Sequence, residues 1–161
     1  MTSGSPKRRP AVVIPGLLFL VLGVTGVVLA YVTVDWYSLR DVVAYDGPPT
    51  ADFSYLAGDM GPSGAEHAYF QWGGWLLLVI CAALVLLGTL PVPSRIGYAT
   101  AATILSVAAA GLTLFVSVAV LPSDLRSDWT SLASAGPYMA TGAFLALAVG
   151  GAAGAVARLS T

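Results

Sequence analysis

The side chains able to do acid–base or metal chemistry are gathered in one stretch. Asp35, Asp41, Asp46, Asp52, Asp59 and Glu66, six of the eight acids, lie between positions 35 and 72 beside the single histidine, His67. Carboxylates next to a histidine could exchange protons with a substrate, and Asp41, Asp46, Glu66 and His67 are the residues that would do so. Their spacing does not support such a site. The five aspartates stand five to seven residues apart and match no D-x-D-x-D calcium loop; solvation of an exported loop accounts for them. His67 beside Glu66 could form a pH-sensitive contact or be an ordinary surface histidine. One histidine and one cysteine, Cys81, are too few for zinc held by the protein alone, for haem between two histidines, or for a C-x-x-C pair. Ser106 and Ser117 have no ionisable neighbour in their apolar runs to activate them. We therefore expect no catalysis, no cofactor and no metal.

The elements that hold this stretch read as membrane helices. Of 161 residues, 57% are hydrophobic and only 9% charged, against roughly 25% charged in soluble domains, which marks an integral membrane protein. The net charge of −1 offers no basic surface for nucleic acid. Four apolar runs predict helices over 10–34, 64–90, 95–121 and 137–157: one all-α, up-down-up-down four-helix bundle with a large extracytoplasmic cap over 35–63. The first run follows Lys7-Arg8-Arg9. From Ala11 to Val34 it is longer than a usual signal-peptide core, so we expect a retained signal-anchor helix with Pro15 loosening its first turns. Ser63-Gly64-Ala65-Glu66 matches a capping box and starts the second helix outside the bilayer, which puts Glu66, His67, Tyr69 and Phe70 on a helical stub. Ser94 is a candidate N-cap for the third helix. Pro122 closes that helix and Pro137 opens the fourth.

Lys7, Arg8, Arg9, Arg95 and Arg158 fall on one side, and Arg40 and Arg126 on the other. The positive-inside rule then makes both termini cytoplasmic. Abundant Ala, Gly and Val without Asn suggest a GC-rich bacterial genome, hence a bacterial plasma membrane.

Aromatic residues crowd the same polar stretch. Trp36, Tyr37, Trp72 and Trp75 stand where membrane-interface belts are expected. Tyr45, Phe53 and Tyr55 are further from the helix ends, and a disordered loop would be poor in such residues. With turns at Asp46-Gly47-Pro48-Pro49 and Gly58–Ser63, the segments around Val42–Tyr45 and Phe53–Leu56 should fold back over the bundle or onto a partner. On the fourth helix Gly142, Ala146, Gly150 and Gly154 recur every four residues and share a face. Ala101, Ala108 and Gly111 on the third helix, and Gly16, Gly23 and Gly26 on the first, add further small positions. Such stripes allow close helix approach, either within the bundle or to another subunit.

The outline resembles that of claudin-type proteins, whose first external loop carries a paired-cysteine signature that this chain lacks. We expect an accessory or assembly subunit of a larger bacterial membrane complex, respiratory or envelope-building. Besides lipids, its partners would be other integral membrane subunits. The contact residues would be Gly142, Ala146, Gly150, Gly154, Tyr45, Phe53, Tyr55 and Trp129. The alternative is a binder or carrier of a lipid-like ligand in a cavity beneath the cap.

Overall fold

The computed structural model describes residues 13–40, 42, 47–58 and 65–156. Four of its helices are long and apolar enough to cross a membrane: α1 (Val13–Val32), α3 (Ala65–Thr89), α4 (Arg95–Ala119) and α6 (Ala135–Val156). Between α1 and α3 lie two short strands, β1 (Tyr37–Ser38) and β2 (Thr50–Ala51), and a short helix, α2 (Phe53–Gly58). Between α4 and α6 lie a 3-10 turn (Arg126–Asp128) and α5 (Trp129–Leu132).

The described ends of the long helices lie within about three residues of the sequence expectation, the usual scatter of helix boundaries. Pro15 and Pro137 are each the third residue of their helix, in the first turn, where an N–H has no intrahelical partner to lose. Ser63 and Gly64 of the expected capping box fall outside the described residues. Ser94 does precede α4, but not as the expected cap. Its backbone is left-handed (φ 63°) and its hydroxyl makes no capping bond. An N-cap side chain works from an extended backbone; here the Pro91–Ser94 reversal uses that residue to turn the chain instead.

α6 is the hub, packing most extensively against α4 and α1 and also against α3, and α3 packs on α4. Small residues make the close approaches. A methyl group built on Gly23 would stand 2.9 Å from the Ala143 carbonyl, and one on Gly151 would stand 2.9 Å from both the Ala99 carbonyl and the Thr103 amide. Outward positions are as apolar as inward ones: Ile14, Val79, Ile104 and Phe115 are all more than 60% exposed. A chain solvated by lipid gains nothing by hiding such side chains.

Candidate functional site

The distinctive chemistry gathers at the end of the helices where α1 and α4 finish and α3 and α6 begin. A helix end leaves four carbonyls without intrahelical donors, and here side chains from the loops supply the donors. The Trp36 indole Nε1–H donates to the Ala30 carbonyl at 2.8 Å, near the end of α1. The Tyr37 hydroxyl donates to the Ser117 carbonyl, near the end of α4. Arg126 donates through Nε to Leu121 O and through Nη2 to Ala119 O, both at 2.9 Å. A cation at a helix C-terminus also meets the negative end of its dipole.

These aromatic and basic donors are held in place by a small sheet. β1 pairs antiparallel with β2, Tyr37 opposite Ala51 and Ser38 opposite Thr50. On its other edge Tyr37 bridges Ala133. Ser134 N donates to Trp36 O at 2.9 Å and Gly136 N to Asp35 O at 3.1 Å. Segment 35–39 is thus the middle strand between the two interhelical loops. Gly136 must be glycine because a Cβ there would overlap the Trp36 indole.

Beneath the sheet the rings interlock. Phe53 of α2 stacks on Tyr31 at 3.9 Å between centroids, and Trp36 and Phe70 each approach it tilted or edge-on. Trp75 meets Tyr31 edge-on at 5.1 Å. Trp36 and Tyr37 are completely buried. The belt expected for them is therefore not what they form, because their polar tips find helix-end carbonyls inside the protein rather than headgroups. Tyr69 and Phe70 are also buried, not carried on an exposed stub. A π-helical turn, Tyr69–Gly73, interrupts α3 here, and the extra residue per turn lets two consecutive aromatic side chains face inward. Trp72 stays exposed, as a belt residue should.

A chain of hydroxyls joins three helices under this cluster. Tyr31 Oη lies 2.8 Å from Tyr69 Oη, and Tyr69 Oη lies 2.6 Å from Thr113 Oγ1. Thr113 spends its only proton on the Ala109 carbonyl at 2.7 Å. It can then only accept from Tyr69, and Tyr69 only from Tyr31. The direction is fixed: Tyr31 to Tyr69 to Thr113 to a backbone carbonyl. That terminus cannot take up a proton at ordinary pH, so the chain orders helices rather than relaying charge. Sequence reading missed Tyr31 and Thr113, and placed Tyr69 on a helical stub without a partner in the bundle. The visible signal was a tyrosine near the end of one apolar run and Tyr69-Phe70 at the start of the next.

The other sequence-derived residues divide. Phe53 sits at the centre of the ring cluster and Leu56 is buried with it, so the expected fold-back of 53–56 is present. Asp52 caps α2: its Oδ1 accepts from Tyr55 N at 2.8 Å and from Ser54 Oγ at 2.7 Å. The Tyr55 amide, followed by Ser54, holds the Asp52 carboxyl below the usual carboxylate range. Burial pushes the Tyr37 phenol up, keeping it a donor. Tyr55 is half-buried, and so is Trp129, whose ring lies 5.6 Å from that of Tyr138. Tyr45, Asp41 and Asp46 lie outside the described residues. His67 is half-buried and contacts Gln71.

Of the small-residue stripe, Gly150 faces Phe19, Gly16 and Val85, and Gly154 faces Gly88 and Ala99, within the helix assembly. Ala146 is half-buried, whereas Gly142 opens outward with nothing within 4 Å of a built Cβ. Among the described residues, no three His, Cys, Asp or Glu side chains converge on a point that could hold a metal. Compared with family models, curated proteins and solved structures, the chain shows no match.

Proposed function

We propose that this chain is a multi-pass protein of a bacterial plasma membrane, with both termini cytoplasmic and the aromatic cap outside. In this reading it is a non-catalytic accessory or assembly subunit of a larger membrane complex, and its four long helices form an up-down-up-down bundle. The observation that carries the reading is the division of its small residues. Gly16, Gly23, Gly26, Gly88, Gly150 and Gly151 are used in internal contacts, whereas Gly97, Gly111 and Gly142 have nothing within 4 Å of a built Cβ. Ala101 and Ala108 on α4 are exposed as well. Glycine weakens a helix interior, so glycines on an outer face suit a surface that another helix approaches. The described part of the cap adds a second contact surface beyond the bilayer. The space under its described part is filled by Tyr31, Trp36, Phe53, Phe70 and Trp75, so the ligand-carrier alternative gains no support there.

Purification from its own cells in a mild detergent should recover stoichiometric membrane partners. Gly111→Leu and Gly142→Leu should release those partners without lowering the thermal stability of the chain itself. Repeated recovery of a lone, stable wild-type chain would defeat the proposal.

A further inference from the structure

We propose that His67 is a pH-sensitive latch, tying α2 to the start of α3 when neutral and releasing it when charged. The basis is a donor and acceptor assignment around Gln71. Its amide nitrogen faces two groups: the Ala57 carbonyl at 3.3 Å and His67 Nε2 at 2.7 Å. A carbonyl can only accept, so Ala57 fixes which end of the Gln71 amide points toward α2. The same NH2 group then presents a hydrogen to His67 Nε2, which must be the unprotonated, accepting nitrogen of a neutral ring. The other nitrogen, Nδ1, is enclosed without a hydrogen-bond partner among the described residues. The contact with Gln71 is therefore the ring's only hydrogen bond there, and it lies at the exposed surface, where solvent protons reach it.

Protonation at Nε2 places N–H against N–H. Gln71 can respond by moving away, which breaks the bond to Ala57. It can also turn over to offer Oε1 to the imidazolium, which sets that oxygen against the Ala57 carbonyl. Either response loses the bond to α2. Among the described residues, few other titratable groups stand on the surrounding elements. Glu66 precedes His67 on the same helix. Asp52 and Tyr55 belong to α2 and its cap, where the Asp52 carboxylate is occupied by Ser54 and the Tyr55 amide. Tyr69 in the π-turn is committed to Thr113. The stretch of α4 from Ala109 to Ala119 carries no titratable side chain. Because Phe53 and Leu56 remain seated in the core, release frays the C-terminal end of α2 without lifting the whole helix. The latch does not depend on the subunit reading above.

The test is hydrogen exchange of the α2 amides in the full chain, reconstituted in lipid nanodiscs. It is read from pH 8 to pH 5, with correction for the intrinsic pH dependence of exchange. In the wild type, exchange near Leu56–Gly58 should rise about fivefold at the acid end, the equivalent of one ordinary hydrogen bond. His67→Phe should be protected and flat across the range, and Gln71→Leu unprotected and flat. Tryptophan emission, read in a Trp72→Phe, Trp129→Phe background so that it reports Trp36 and Trp75 against Phe53, should stay constant throughout. A flat wild-type profile would overturn the proposal. So would a transition that survives in His67→Phe, or one accompanied by a change in tryptophan emission.

Discussion

The two ends of the helix assembly are held by different physics. At the cap end, rings, hydroxyls and a three-segment sheet satisfy the free carbonyls of α1 and α4 and fill the space between helices. Among the described residues of the opposite end, Thr89 and Thr103 donate to backbone carbonyls, and glycines make the close contacts. Gly16 meets Thr89, Gly88 meets Ala99, and Gly151 meets Ala99 and Thr103, each at a distance that admits no side chain. The contrast follows from the connections. The long segments at the cap end bring aromatic side chains whose burial is favourable and donors for the free carbonyls. The Pro91–Ser94 turn brings neither, and close van der Waals contact remains to hold the helices there.

The comparison can be broken at either end, and the cap end should be the more sensitive. Trp36→Ala should give the largest effect, about 3–5 kcal/mol, as expected for a fully buried large aromatic; it would be read as loss of the folded fraction in mild detergent titrated with a denaturing one. Trp36→Phe should cost less because it loses mainly the bond to Ala30 O. At the opposite end, Gly151→Val should cost about 1–3 kcal/mol, since besides the Thr103 hydroxyl the obstructing atoms are the Ala99 carbonyl and the Thr103 amide, backbone that cannot easily yield. Gly97→Val, on open surface of α4 with nothing within 4 Å of a built Cβ, serves as its control and should not destabilise.

The hydroxyl chain makes a sharper forecast. Tyr69→Phe removes a donor and an acceptor together and should cost about 1–2 kcal/mol. Tyr31→Phe removes only the first donor and should cost less than half as much. Equal losses would mean that the direction deduced from Thr113 is wrong. Arg126→Gln should cost about 0.5–1.5 kcal/mol, through the freed carbonyls of Ala119 and Leu121.

The most local effect is at Asp52. Asp52→Ala should loosen α2 by about 1 kcal/mol, visible as faster amide exchange at Ser54 and Tyr55. Because the folded Asp52 carboxyl is held below its ordinary value, its contribution is complete above the unfolded carboxylate range. That contribution is lost as pH falls through the lower folded value. Acid should therefore abolish the difference between wild type and Asp52→Ala.

Much of this architecture was legible in the residues alone. Apolar runs set the four long helices, because spanning lipid demands an unbroken stretch of about 20 apolar residues and a charged side chain within it is costly. Proline placement marked helix ends, and Phe53–Leu56 announced its fold-back by being too aromatic for a solvated loop. The belt assigned to Trp36 and Tyr37 failed because position near a helix end does not say which way a ring turns. Gly142 and Gly150 belong to one stripe, yet one opens outward and the other packs inside. Residues four apart drift by about 40° per step around a 3.6-residue helix, so Gly142 and Gly150 look out in directions about 80° apart.

By itself, then, the sequence determined which segments must be helical and apolar, since that depends on the solvation of each segment taken alone. The tertiary structure decided which carbonyl each donor reaches. Tyr37 finds Ser117, 80 residues away, and Tyr31 finds Tyr69, 38 residues away. Such pairings depend on helix crossing and on a single π-turn that rotates Tyr69 inward, geometry that arises only when the four helices pack.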